Sequence, residues 1–273
     1  MDRSDLANRM KDYEMRDRYF LQKKIPVAIR VDMRAGHTFT RGFKRPFDDI
    51  FMKSMQETAK YMCENMGNAK FAYVQSDEIT IILTDYDTLE TDCWFNYRTD
   101  KLCSISASMA TMAFNKFFYN MAMEETAGGE FPEGIAGIHL KAAEKGAMFD
   151  ARCFNIPKEE VTNLIYWRQL DAARNSVQMV GQANFSHKEL QNKSCNMIQD
   201  MLHEQKGINW NDFPVDCKRG AAVIKKKIGT NIAAACGIAG ATYENRWVID
   251  RNMPMLKGED RKYLDDLVYV GES

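Results

Sequence analysis

Asp32 stands at the end of the run Val27-Ala28-Ile29-Arg30-Val31, in which Val27, Ile29 and Val31 fall on one face at period two. That spacing predicts a half-buried strand, with Asp32 on the opposite face beside Arg30. Asp77 and Glu78 lie in a polar break, Gln75 to Glu78, between two β-rich runs within residues 71–83. The break reads as a hairpin with acids at or beside its tip. If these strands are neighbours in one sheet, the acids converge at one edge. Converging carboxylates repel unless cations sit between them, so the arrangement suits Mg²⁺. Two such ions about 3.5–4 Å apart clamp the attacking and leaving oxygens of a phosphoryl displacement. That reaction needs positioned charge more than a protein nucleophile. Alternation sets a limit, because successive strand residues point to opposite faces; Asp77 and Glu78 are equal ligands only if the turn redirects one. Taken alone, acids at strand ends and turns also fit plain solvated turns.

The elements that must position these acids are legible around them. Residues 4–22 alternate acids and bases at helical spacing and predict an amphipathic helix. Asp48 or Asp49 caps the next helix, whose apolar stripe is Phe51, Met55, Ala59, Met62 and Met66. Residues 104–122 are small and apolar on nearly every side, which predicts a buried helix rather than an amphipathic one. Gly128, Gly129 and Pro132 punctuate the chain, dividing it into a catalytic part, 1–135, and a C-terminal part, 136–273, packed against it. Ala151 to Ile156 reads as a strand, and Pro157, Glu159 and Glu160 as the start of a helix. Arg219 to Ile228 reads as a late basic strand, and 229–249 as a Gly-rich hairpin excursion. The expected class is α+β: a polymerase-palm-like antiparallel sheet with helices packed on one face, plus a C-terminal α/β extension.

Composition narrows the function classes. A formal net charge of −1 over 273 residues argues against a non-specific, strongly basic nucleic-acid binder. Local basic clusters at Arg41 to Arg45 and Lys218 to Lys227 still allow a phosphate backbone to be held. Seven cysteines without a Cys-x-x-Cys pair argue against a disulfide framework or a thiolate zinc site. Reduced thiols in a cytoplasmic protein are the expectation. The N-terminus is too charged for a secretory signal, and no run is long enough to span a membrane.

The wording around the acids resembles the tRNA-histidine guanylyltransferase superfamily. Arg30-Val31-Asp32-Met33-Arg34-Ala35-Gly36-His37 is similar to that family's Arg-x-Asp-Gly-Arg-x-Phe-His stretch, and Gln75-Ser76-Asp77-Glu78 to its Gln-Ser-Asp-Glu turn. Asn8 to Glu14, Arg98 with Lys101, Phe149-Asp150-Ala151-Arg152, and Trp167-Arg168-Gln169 with Asp171 follow in collinear order. The resemblance implies a palm-like enzyme that adds nucleotides to a tRNA 5′ end in the 3′–5′ direction. It implies two Mg²⁺ ions on Asp32, Asp77 and the Met33 carbonyl, with Glu78 assisting. It implies a nucleotide site lined by Asp32, Met33, Arg34, Ala35, Gly36, His37, Ser76 and Asp77, and triphosphate contacts from Arg98 and Lys101. GTP, ATP and tRNA are the implied partners, and a homo-oligomer (dimer or tetramer) the implied assembly. Arg168, Asp171, Asn175 and Gln178 fall on one helical stripe, read either as a solvated face or as a grip on RNA or triphosphate. Trp167 reads as core more readily than as a base-stacking platform.

Two departures bear on the site. Met33 replaces the family glycine, which a carbonyl ligand tolerates only if the backbone there needs no left-handed φ. Gly36 stands where the family has an aromatic near the base. A third departure bears on the substrate. Histidine-tRNA enzymes carry a His-Ile-Asn-Asn-Leu-Tyr-Asn run after the position of Asp171. This chain reads Ala172-Ala173-Arg174-Asn175-Ser176-Val177-Gln178. That favours the guanylyltransferase-like branch associated with tRNA 5′-end repair over a dedicated histidine-tRNA enzyme. A palm-type nucleotidyl cyclase would share the acids but lacks the Trp-Arg-Gln helix, and an idle tRNA-binding protein would have little use for three intact acids.

Overall fold

The computed structural model describes residues 4–126, 134–230 and 242–269. In chain order the elements are α1 (Asp5–Met15), β1 (Val27–Met33), α2 (Gly36–Phe39), α3 (Asp49–Asn65), β2 (Ala69–Gln75), β3 (Glu78–Leu83), α4 (Thr99–Thr126) and α5 (Ile135–Lys145). There follow β4 (Phe149–Asn155), α6 (Lys158–Asn184), α7 (His187–Leu190), α8 (Cys195–Lys206), α9 (Val215–Arg219), β5 (Ala221–Gly229), β6 (Tyr243–Asp250) and α10 (Lys262–Val268). The strands form one six-stranded sheet in the order β4-β1-β3-β2-β5-β6, antiparallel at every step. It takes strands from both sides of residue 135. The α+β class and the antiparallel palm-like sheet are as the sequence leads one to expect.

The layers differ from that expectation in one respect: helices cover both faces. Val27, Ile29, Val31 and Met33 of β1 point to the face packed by Phe51, Met55, Ala59 and Met62 of α3 and by Phe114 and Phe118 of α4. Ala28, Phe71, Tyr73 and Ile82 point the other way, to Val161 and Ile165 of α6 and Leu264 and Val268 of α10. Each fully buried Val, Ile, Leu, Met or Phe among these contributes roughly 1.5–3 kcal/mol. The apolar alternation of β1 predicts the first layer. The second is hidden because Arg30 and Asp32 interrupt its side of the strand.

Two local expectations are corrected. The N-terminal helix ends at Met15 rather than near residue 22, because Phe20 bridges to Arg98 and the Leu21 N–H donates to the Tyr97 carbonyl. The α4 helix is buried on one side only; Leu102, Ala110, Phe114 and Phe118 face inward, while Met112, Tyr119 and Met123 are exposed. Its partners among the described residues lie on that inner side, so smallness on the outer face does not mean burial. The punctuation at 128–132 and residues 231–241 of the expected excursion lie outside the described residues. The flanks of that excursion pair with each other from Ala222↔Asp250 to Gly229↔Tyr243, whereas β5 meets β2 only over residues 221–224. Lys225, Lys226 and Lys227 therefore ride on a two-stranded ribbon that leaves the sheet at the end opposite the β2–β3 turn.

Candidate active site

Register brings the acids together. Asp32 lies directly opposite Glu78 on β3 and opposite Asp150 on β4. Ser76 and Asp77 form a two-residue turn closing Gln75↔Glu78, and the Met33 N–H donates to the Asp77 carbonyl at 3.0 Å. This bond docks the turn against the end of β1. Ser76 (φ 49°) and Ala35 (φ 56°) both hold left-handed backbone, strained for residues with a β-carbon. Met33 is regular strand with no left-handed φ, so its replacement of glycine leaves the carbonyl available.

The electrostatics match the crowding. Burial, followed by the charges of Asp77, Glu78 and Asp150, pushes the Asp32 carboxyl up to about 6, with Arg152 pulling the other way. Glu78 is settled differently. Arg168 donates Nε and Nη2 to its two oxygens, each at 2.9 Å, and Arg30 stands 3.6 Å away. A planar fork on a carboxylate is the strongest form of this pairing. The turn thus sends Asp77 and Glu78 to different tasks: Asp77 to the open cleft, Glu78 to a buried ion pair.

The cleft, about 380 Å³, begins at Asp77. Gly36, His37, Gln75 and Ser76 line its floor, Phe43, Phe47, Phe51 and Met179 its apolar wall, and Arg41, Lys44 and Arg45 its basic side. Asn175 reaches it from α6. Gly36 is pressed against the turn: a β-carbon there would stand 2.0 Å from the Asp77 Oδ2. The wall is braced by His139, buried at 2 % exposure, whose Nε2 meets Asp48 at 2.9 Å and Nδ1 meets Glu125 at 2.7 Å. Both carboxylates hold its pKa above the ordinary 6.5 despite burial.

Of the residues singled out from sequence, Asp32, Met33, Gly36, His37, Ser76, Asp77 and Asn175 gather at this end of the sheet. Arg34 and Ala35 lie there too, exposed on the connection into α2. Arg168 does not reach out to RNA or triphosphate; its fork is taken by Glu78, and its Nη1 lies 3.3 Å from Asp171, which also pairs with Arg174. Arg98 and Lys101 are not brought to the acids of their own chain. The Thr99 carbonyl sits beside Cys153, whereas the Thr111 hydroxyl accepts from the Phe149 N–H at the acid end. The ten or so helical residues between amount to roughly 15–20 Å. Arg98 there grips Asp100 through both Nε and Nη2. Asp150 and Arg152 are the site residues to which sequence reasoning assigned no role. Their period-two spacing was the available signal, but only the β1–β4 register puts them opposite Asp32 and Arg30.

The family model for tRNAHis guanylyltransferase (Thg1) matches residues 7–157. The chain belongs to that family. Thg1-family members are nucleotidyltransferases, and this chain is an enzyme of that class. A solved bacterial Thg1-like protein in complex with ATP superposes with a TM-score of 0.80 at 38% identity, over 97% of this chain and 99% of that one. A second bacterial Thg1-like structure, in complex with GTP, gives 0.75 at 36% identity over 97% and 100% of the two chains. The tRNA(His) guanylyltransferase of Saccharomyces cerevisiae is 27% identical over 215 residues, 73% of this chain and 82% of the yeast protein. No described helix is long and apolar enough to cross a membrane, and the cysteines among the described residues are free.

Proposed function

We propose that this Thg1-family enzyme is a Mg²⁺-dependent, 3′–5′ nucleotide-adding enzyme of tRNA 5′ ends, using GTP and ATP, in a reducing cytoplasmic setting. The observation that carries it is the convergence of Asp32 and Asp77 at the mouth of a partly apolar, partly basic cleft. The donor set fits Mg²⁺. Among the described residues no group of three His, Cys, Asp or Glu side chains is arranged to hold a metal. Mg²⁺ is commonly held by one or two carboxylates, with waters and substrate phosphates completing its shell. Asp32, Asp77 and the Met33 carbonyl supply such a partial set. The elevated Asp32 carboxyl is one that a nearby cation would return to its charged form. When bound, two ions supply the positive charge that a phosphoryl displacement requires.

The chain's own residues do the rest. The cleft takes the nucleoside between its phenylalanine wall and the 36–37 floor. Arg41, Lys44 and Arg45 offer charge to phosphates. Arg168 locks Glu78, so the negative potential at the site stays fixed without a third flexible carboxylate. Arg98 and Lys101 serve a triphosphate from a neighbouring copy in a homo-oligomer, since in their own chain they stand at the wrong end of α4.

Templated repair is favoured over a dedicated histidine-tRNA enzyme. Identity is higher to the bacterial Thg1-like proteins, 38%, than to the yeast enzyme, 27%. Ala172 and Ala173 replace the larger polar groups of the histidine-tRNA run, and Ala172 packs at the cleft. Polar recognition of one tRNA would need such groups, because they give strong discrimination. The test offers GTP and the other triphosphates to intact histidine tRNA and to other tRNAs lacking their first nucleotide. Addition should follow the base opposite the gap. Preference for histidine tRNA with guanosine added regardless of that base would restore the dedicated enzyme.

A further inference from the structure

We infer that Trp167 is a stacking platform for the terminal nucleobase of the RNA acceptor end. This rests on the nucleotidyl-transfer reading above and names a contact for its second substrate. Trp167 is 50% exposed, although its neighbours Ile165, Arg168 and Gln169 are buried. Its ring is held against the Arg168 guanidinium, with Cζ 4.8 Å from the ring centroid, and that guanidinium grips Glu78, the cross-strand partner of Asp32. A large aromatic face is thus fixed two contacts from Glu78 and three from Asp32.

The flank of α6 on which it lies is open from Trp167 onward, where Trp167 is 50% and the Arg174 side chain 64% exposed. On the other flank Gln169 bonds the Pro254 carbonyl and the Leu256 N–H, and Thr162 bonds Asp265, while on Trp167's own side the C-terminal segment reaches only Asn163, one turn before it, which accepts from Arg261 among the described residues. The C-terminal segment thus covers the other flank. Trp167 instead shares its side with Asp171 and Arg174, one turn and two turns along. The nucleotide cleft also lies along α6, but further on, at Ala172, Asn175 and Met179. The acids therefore sit between the cleft and Trp167. A two-substrate transfer over these acids requires the second substrate to enter from the side the first leaves free. Its reacting end is a 5′ terminus followed by a flat base, and Arg152 on β4 and Arg174 on α6, paired with Asp150 and Asp171 yet more than half exposed, offer guanidinium groups to its backbone. Base–aromatic stacking suits such an end because every base presents a π-face, so it selects RNA ends without selecting sequence.

The test uses the full chain and a short acceptor-stem hairpin with 2-aminopurine as its 5′-terminal base. W167F keeps the ring, W167L covers Arg168 without a π-face, and W167A removes both. Wild type and W167F should quench the probe on binding; W167L and W167A should not. KM for the RNA should rise about 10-fold or more in W167L and W167A while KM for GTP stays constant. Equal quenching in all four proteins overturns the platform while leaving the transfer reading intact. If W167L behaves as wild type, the ring merely shields Arg168, and the inference fails. Absence of any RNA binding by the wild type overturns both readings.

Discussion

The two ends of the sheet present candidate functional groups of opposite charge, and they are built by opposite means. At one end Asp32, Glu78 and Asp150 are aligned by strand register, and Asp77 is docked there by a backbone hydrogen bond. At the other, Arg98, Lys101 and Lys225 to Lys227 sit on a helix start and a projecting ribbon, where Lys225–Lys227 are solvent-exposed. Crowded negative charge needs rigidity, because small displacements change its energy steeply. Positive charge that meets a phosphate backbone needs only reach and number. Substitutions at the acid end should therefore act as switches, and those at the far end as graded controls.

The sharpest way to break this contrast is Asp32→Asn or Asp77→Asn. Either should lower nucleotide addition about 10³-fold or more, some 4 kcal/mol of transition-state stabilisation, with an unchanged circular dichroism spectrum. Substantial turnover in both would remove the metal assignment. The same variants ask whether the far end serves a neighbour. Mixed with R98A/K101A, D32N should regain about one quarter of wild-type activity if dimers form at random and each site borrows from its partner. No recovery on mixing would leave Arg98 and Lys101 without a triphosphate role.

Next comes Arg168→Met, which leaves Glu78 buried with only Arg30 nearby. Urea unfolding should show a loss of about 3–5 kcal/mol, and the double variant R168M/E78M should recover most of it. A single variant as stable as wild type would mean that Glu78 is not held by this fork. A smaller, graded effect is expected from neutralising Lys225, Lys226 and Lys227 together: the salt dependence of RNA binding should flatten by roughly 0.9 for each phosphate that is no longer neutralised. An unaltered slope would return these lysines to solubility. Part of their charge is already occupied, since Lys226 pairs with Asp250 and Lys225 lies over Trp247.

The smallest effect concerns the cleft wall and pH. The His139 pKa is raised above 6.5, so its contribution is full below that value and fades as pH rises through the folded-state pKa. Asp48 is held below its ordinary 3.8, mainly by hydrogen bonds that outweigh burial, so its contribution is present above that value and fades as pH falls further. Wild type should thus lose stability relative to H139Q as pH rises above 6.5. Parallel denaturation curves across that range would show that the histidine is not charged in the wall.

Local patterning carried much of the site into view. The alternation of Val27, Ile29 and Val31 located Asp32, and the polar break at 75–78 located the turn, because both signals are confined to a few residues. The roles of Asp150 and Arg152 were hidden because register between distant strands leaves no trace in one sequence. Arg168 was visible as a residue but not as a clamp; whether a guanidinium faces solvent or a buried acid depends on what covers it. Arg98 and Lys101 matched by spacing along the chain, yet α4 carries them away from the acids. Trp167 reads as core because tryptophan usually is, and only the path of the C-terminal segment decides which flank of α6 stays open.

Gly36 also constrains how this protein can change. A first carbon at that position meets the Asp77 carboxylate 2.0 Å away, so no side chain can be acquired there until Asp77 has adopted another rotamer. The two positions are epistatic, and a single-step mutational path from this chain to an aromatic at 36 crosses a variant with a misplaced acid, which can cost on the order of 100-fold in rate. Libraries that vary the cleft for nucleotide preference should therefore vary residue 36 together with the turn, or hold it fixed and search the opposite wall at Phe47 and Met179.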